Sequence, residues 1–189
     1  MTLTPREAVT SRTVRRREER VAVSVVVCPG CGLAAPAGGG ARPDGYGASA
    51  ECWERYGELL ARSYGLADHR PVHQIVVDAY VAQHPAGDSR REVQRMALCL
   101  MTLCLFVEEG ADPREGPALH KRMMAGRPDY FHWLRPPRLD DLMTVADVLA
   151  ARDAAEHGRL VREWGRDLWR AWEPWHATIR AWNARALER

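Results

Sequence analysis

Lysine is almost missing from this chain: Lys121 is the only one, so arginine carries nearly all of the positive charge. Long apolar runs are missing as well. The longest, Met96–Val107, falls far short of the roughly 20 residues that a membrane-spanning helix needs. β-branched runs are scarce outside Val21–Val27, which argues against a large sheet and for a mostly helical fold. No phosphate loop, nucleophile elbow, HExxH pair or dinucleotide fingerprint occurs, and no internal repeat. A targeting segment is not convincing either. Arg15–Arg20 followed by the largely apolar Val21–Val27 resembles a short secretory leader, but no small-x-small cleavage site follows. The expected location is cytoplasmic, where five cysteines are metal ligands or buried thiols sooner than disulfides.

The net charge of +2 is unevenly placed. Residues 1–20 hold six Arg and three Glu; the other 169 hold 21 basic and 22 acidic side chains, a balance of −1. The body therefore has no general pull on nucleic acid or on a membrane surface. Residues 1–20 are expected to form a disordered basic arm, and residues 21–189 a single domain.

Val21–Val27 reads as a short strand leading into Cys28-Pro29-Gly30-Cys31-Gly32, and the Gly- and Pro-rich stretch after it reads as a loop. Ser49 caps a helix over Ala50–Tyr64, with Glu51 at its positive end and an apolar stripe of Trp53, Tyr56, Leu60 and Tyr64. Pro71 opens a second helix, which Pro85 ends after His84. Ser89 and Glu92 have capping-box spacing for a central buried helix running to Gly110, with Cys99 and Cys104 as core thiols. Residues 111–141 read as irregular apart from a short helix near Leu119–Met124, with Tyr130–Leu134 as an aromatic plug. Thr144 and Asp147 open a long helical region whose stripe is Val161, Trp164, Leu168, Trp172, Trp175, Ile179 and Trp182, bent or restarted at Pro174.

Cys28 and Cys31 admit two chemistries. A redox dithiol lies where a strand meets a helix, and GLAAPAGGG cannot start one. A metal knuckle holds two thiolates on a turn, and the glycine after the second cysteine lets backbone amides point at sulfur. Cys52, in the first turn of the next helix, adds a third thiolate. If that helix and the following one pack antiparallel, His84 falls beside Cys52, each twelve residues from the intervening turn. His73 shares the face of His84 but lies roughly 16 Å away along the axis, so one metal cannot take both. The expected zinc set is Cys28, Cys31, Cys52 and His84, with His73 the alternative fourth ligand.

Taken together, CPGCG, GYGASAECW, VHQIVVDAY, QHP, FHWLRPP and the Trp-rich VREWGRDLWRAW resemble a bacterial family catalogued as domain of unknown function 5946, over about residues 28–182. The resemblance implies that these motifs belong to one domain and implies no reaction. The chain departs from it at Trp175, where a histidine beside His176 is expected.

Two kinds of function remain open from the residues. One is a zinc-stabilised helical module with a protein partner, the metal being structural. The other is a metal-dependent, hydrolase-like enzyme that turns His73, His157 and His176 inward around a second, open metal, with Asp78 a further candidate; the plainer reading makes His73 and His157 buried, hydrogen-bonded histidines and Asp78 a structural acceptor for a histidine or a helix amide. A nucleic-acid binder would rest on the knuckle and the arginine arm alone, against the charge of the body.

Overall fold

The computed structural model describes residues 24–126 and 128–187. The expected arm over residues 1–20, and the start of the strand at Val21–Val23, lie outside them. The elements are β1 (Val25–Val27), β2 (Ala34–Pro36), α1 (Ala50–Gly65), α2 (His73–Gln83), α3 (Arg90–Cys104), α4 (Gly116–Met124), α5 (Val145–Leu149), α6 (Ala154–Ala171) and α7 (His176–Leu187). The fold is mostly α, with the small hairpin β1–β2 at one end.

β2 departs from the loop expected there, since Gly and Pro surround it. It forms because the cysteine turn folds the chain back on itself: Cys28 N–H donates to Leu33 O at 2.9 Å, and Gly32 N–H to Cys28 O at 2.9 Å. Gly32 has φ +74°, a conformation that favours glycine. Val25 pairs with Pro36 and Val27 with Ala34. Pro36 costs the ladder nothing, since the bonds fall on either side of it, with Ala37 N–H donating to Ser24 O.

Ser49 caps α1 as read, its Oγ accepting from Cys52 N–H at 3.2 Å. The buried face of α1 is a different one, however. Cys52, Tyr56, Leu59 and Ser63 point inward, Trp53 and Leu60 are half-buried, and Tyr64 is 64% exposed. Ser63 can take an inward position because its Oγ donates to Leu59 O. Pro71 lies in a 3₁₀ turn over Ala67–Val72, so α2 begins two residues later. α2 is buried on nearly every side.

α3 ends at Cys104 rather than at Gly110. A single π turn over Leu105–Glu109 follows, closed by Gly110 at φ +68°. α4 starts three residues before the expected Leu119, after a 3₁₀ turn capped by Asp112. The region opened by Thr144 is not one helix: its capping box starts only the five-residue α5, and Asp153 caps a fresh start at α6. The tryptophan stripe is core as expected at Val161, Trp164, Leu168, Trp172, Ile179 and Trp182, which are buried; Trp175 departs from it, half-buried with its Nε1 donating to Arg135 O. The stripe survives Pro174 because a 3₁₀ turn over Glu173–Trp175 restarts the helix. Phe131 and His132 of the aromatic plug meet Trp182 edge-on, at 5.4 and 5.3 Å between ring centres. One apolar cluster runs from Cys28 through α1, α2 and α3 to Ala186. Among the described residues, no helix is long and apolar enough to cross a membrane.

Candidate metal centre

The β1–β2 turn, the first turn of α1 and the end of α2 converge on four side chains. The Cys28, Cys31 and Cys52 sulfurs and a ring nitrogen of His84 all lie within 4.8 Å of one another, and all four residues are buried. Cys31 Sγ is 3.7 Å from Cys52 Sγ, and Cys52 Sγ is 3.4 Å from His84 Nε2. A tetrahedron with metal–sulfur bonds of about 2.3 Å and a metal–nitrogen bond of about 2.0 Å has S···S edges of about 3.8 Å and S···N edges of about 3.5 Å. The donor set therefore fits a four-coordinate ion, and this cluster could bind one.

Each side chain arrives for a local reason. Antiparallel packing of α1 and α2 puts Tyr56 on Tyr80, stacked at 3.7 Å, and one turn further along it puts Cys52 beside His84. The His84 tautomer follows from its other nitrogen. Nδ1 lies 2.7 Å from Tyr80 O, and a carbonyl only accepts, so Nδ1 carries the hydrogen and Nε2 presents its lone pair to the sulfurs. The hairpin can approach because Gly30 has no side chain: a Cβ there would lie 2.6 Å from both Gly47 O and His84 Cδ2. Gly47 is itself pressed on Pro85, and its N–H donates to His84 O at 3.1 Å.

From the other side the tryptophan stripe clamps the end of α2. Trp164 Nε1 donates to Gln83 Oε1 at 2.9 Å, Trp172 Nε1 to Ala82 O at 3.3 Å, and Gln83 Nε2 to Met143 O at 2.9 Å. Gln83 carries no periodicity signal, and only its apolar neighbours hint that it is buried.

The three thiols perturb one another strongly. The Cys31 and Cys52 thiols face Cys28 and hold it far below the usual thiol range, while contact with Cys28 pushes Cys31 up to about 12 and Cys52 well above its ordinary value. A bound divalent cation would let all three ionise.

The remaining candidates are dispersed. His73, the alternative fourth ligand, lies at the far end of α2, its ring 4.6 Å from that of Tyr64. Its Nδ1 is buried without a partner, and burial lowers its pKa. His157 stacks on His69 at 3.9 Å and is held down to about 4, mainly by burial. His176 stacks on Trp169 at 3.7 Å and donates from Nε2 to Trp169 O at 2.8 Å. Among the described residues, the Cys₃His group is the one set of three or more such ligands brought together.

Asp78 is instead a structural acceptor in a polar network whose partners, Gln74, Thr102 and His120, sequence reasoning misses. Its carboxylate is fully buried and takes hydrogen bonds from Gln74 Nε2 at 2.9 Å and Thr102 Oγ1 at 2.6 Å. His120 Nε2 lies 3.2 Å from Thr102 Oγ1 and 3.7 Å from Asp78 Oδ1. Burial pushes Asp78 up to about 7 and lowers His120. Asp78 and Gln74, one turn apart, with Thr102 inside an apolar helix, are the available signal; His120 has none.

A family model described as "Family of unknown function (DUF5946)" matches residues 26–173, a span holding all four cluster residues. No curated protein and no solved structure matches.

Proposed function

We propose that this chain, which belongs to the DUF5946 family, is a zinc protein whose metal is structural and whose role is that of a helical interaction module. Cys28, Cys31, Cys52 and His84 hold the ion, and it fastens the β1–β2 hairpin to α1 and α2. The observation that carries this reading is the closed donor set: four buried protein ligands, with His84 Nε2 aimed inward by the Tyr80 carbonyl. Such a set fills a tetrahedron and leaves no position for substrate or water. Three thiols favour zinc over a hard cation such as magnesium or calcium. The five cysteines are free thiols, which suits a reducing, cytoplasmic compartment. The hairpin and helices act as one domain, since the ligands come from both. The partner is a protein, the balanced charge of the body giving no general pull on nucleic acid.

Two measurements test this. Elemental analysis should give one zinc per chain, lost on Cys28→Ser, Cys52→Ser or His84→Ala and retained on His73→Ala. Cobalt substituted for zinc should show a four-coordinate spectrum that added azide or cyanide leaves unchanged. A spectrum that shifts with such anions would mean an open coordination position and would overturn the structural role.

A further inference from the structure

A groove of about 470 Å³ lies between α6, the start of α2 and the π turn after α3. Its volume is in the range of small-molecule sites. Ile75, Phe106 and Val107 contribute apolar surface to it. Arg114, Arg162 and Arg166 stand around it. From this combination we infer that the groove binds a small molecule with an anionic head, a carboxylate or a phosphate monoester, on an apolar body.

The charge of the groove is the first support. Asp112 is its one acidic lining residue, and Arg114 occupies that carboxylate through both Nε and Nη2. Among the described residues, Arg162 and Arg166 have no carboxylate at ion-pair distance. Arg162 donates to Gly158 O, in its own helix, at 2.9 Å. The lining therefore carries three arginines against one aspartate, +2, in a body whose overall balance is −1. Two guanidinium groups left over beside apolar walls suit an oxyanion on a hydrocarbon or aromatic tail, because each offers paired N–H donors.

The backbone is the second support. The π turn brings Phe106 and Val107 to the groove half-buried, where they are not sealed in the core. Single π turns are frequent at functional sites. This one is held rigid from behind: the Glu108 carboxylate takes hydrogen bonds from Trp169 Nε1 at 2.9 Å and from Arg180 Nε at 2.9 Å. Gly165 sets the floor. A Cβ there would lie 2.8 Å from Ile75 Cγ2, so glycine lets α6 approach α2 along the groove that Arg162 and Arg166 line.

The test is calorimetric titration of the metal-loaded full chain with decanoate, decyl phosphate, decanol and decylammonium, each below its micelle concentration. Decanoate or decyl phosphate should bind one to one, and whichever binds more tightly identifies the head group. Decanol and decylammonium should bind at least tenfold more weakly. Arg162→Glu with Arg166→Glu, both exposed and checked for an unchanged circular dichroism spectrum, should reduce anion binding at least tenfold. Equal binding of decylammonium and decanoate, an unchanged affinity in the double variant, or no binding by either anion would overturn the inference. The titration does not depend on the role of the metal, so its failure leaves the zinc reading standing.

Discussion

Replacing Asp78 with Asn should remove a pH dependence of stability that the buried network imposes. Asp78 is fully buried and held at about 7, against an ordinary value of 3.8, with burial as the main cause. A raised carboxyl keeps its proton in the folded chain at a pH where the unfolded chain has lost it. Stability from this group is therefore complete at low pH and declines as pH rises from the unfolded value toward the folded one. The slope reaches at most about 1.4 kcal/mol per pH unit, so the loss between about pH 4 and pH 7 has an upper bound of about 4 kcal/mol. Asn imitates the protonated acid. Its NH₂ can donate to Thr102 Oγ1 while Thr102 O–H turns to Leu98 O, 2.9 Å away, and its carbonyl still accepts from Gln74. Urea denaturation of both proteins from pH 4.5 to pH 8 measures the effect. The difference in stability should move in favour of the Asp78→Asn variant up to about pH 7 and then level off. The metal site responds to pH in both proteins and cancels in the difference. Parallel curves across the range would refute the assignment of a raised carboxyl to this network.

Gly30→Ala should weaken metal retention and destabilise the fold by about 1–3 kcal/mol, though no ligand is removed, because its Cβ meets the backbone of Gly47 and the ring of His84; zinc competition with a chromophoric chelator measures it. Gly57→Ala is the control: nothing lies within 4 Å of its Cβ, and the change should raise stability by about 1 kcal/mol in thermal melts. Glu108, held down to about 2 chiefly by Arg180, contributes stability that is present above the ordinary carboxylate range and is lost as pH falls toward its folded value. Glu108→Gln should therefore destabilise more at pH 7 than at pH 3 in denaturant titrations.

The four cluster residues were legible because their placement is local. A two-residue gap on a glycine turn, a capped helix start and equal distances from an interhelical turn are properties of sequence, and antiparallel packing turns them into proximity. The helical character of the chain was legible from apolar spacing for the same reason. What escaped depended on neighbours. β2 exists only because the cysteine turn aims Leu33 back at Cys28. The buried face of α1 is set by Cys52, a residue that a hydropathy stripe does not favour over Trp53. The break before α6 comes from Asp153, a second cap inside a region that periodicity reads as continuous. His73, His157 and His176 look alike in sequence, each a polar residue on a helix, and only packing assigns them to Tyr64, His69 and Trp169.

The coordination sphere of the purified protein bears most directly on the central claim. X-ray absorption at the zinc edge should fit three sulfur ligands at about 2.3 Å and one nitrogen at about 2.0 Å, with imidazole scattering that is unchanged in His73→Ala. A fit requiring a water or carboxylate oxygen, or an imidazole signal that persists in His84→Ala and is lost in His73→Ala, would contradict the closed Cys28, Cys31, Cys52 and His84 site.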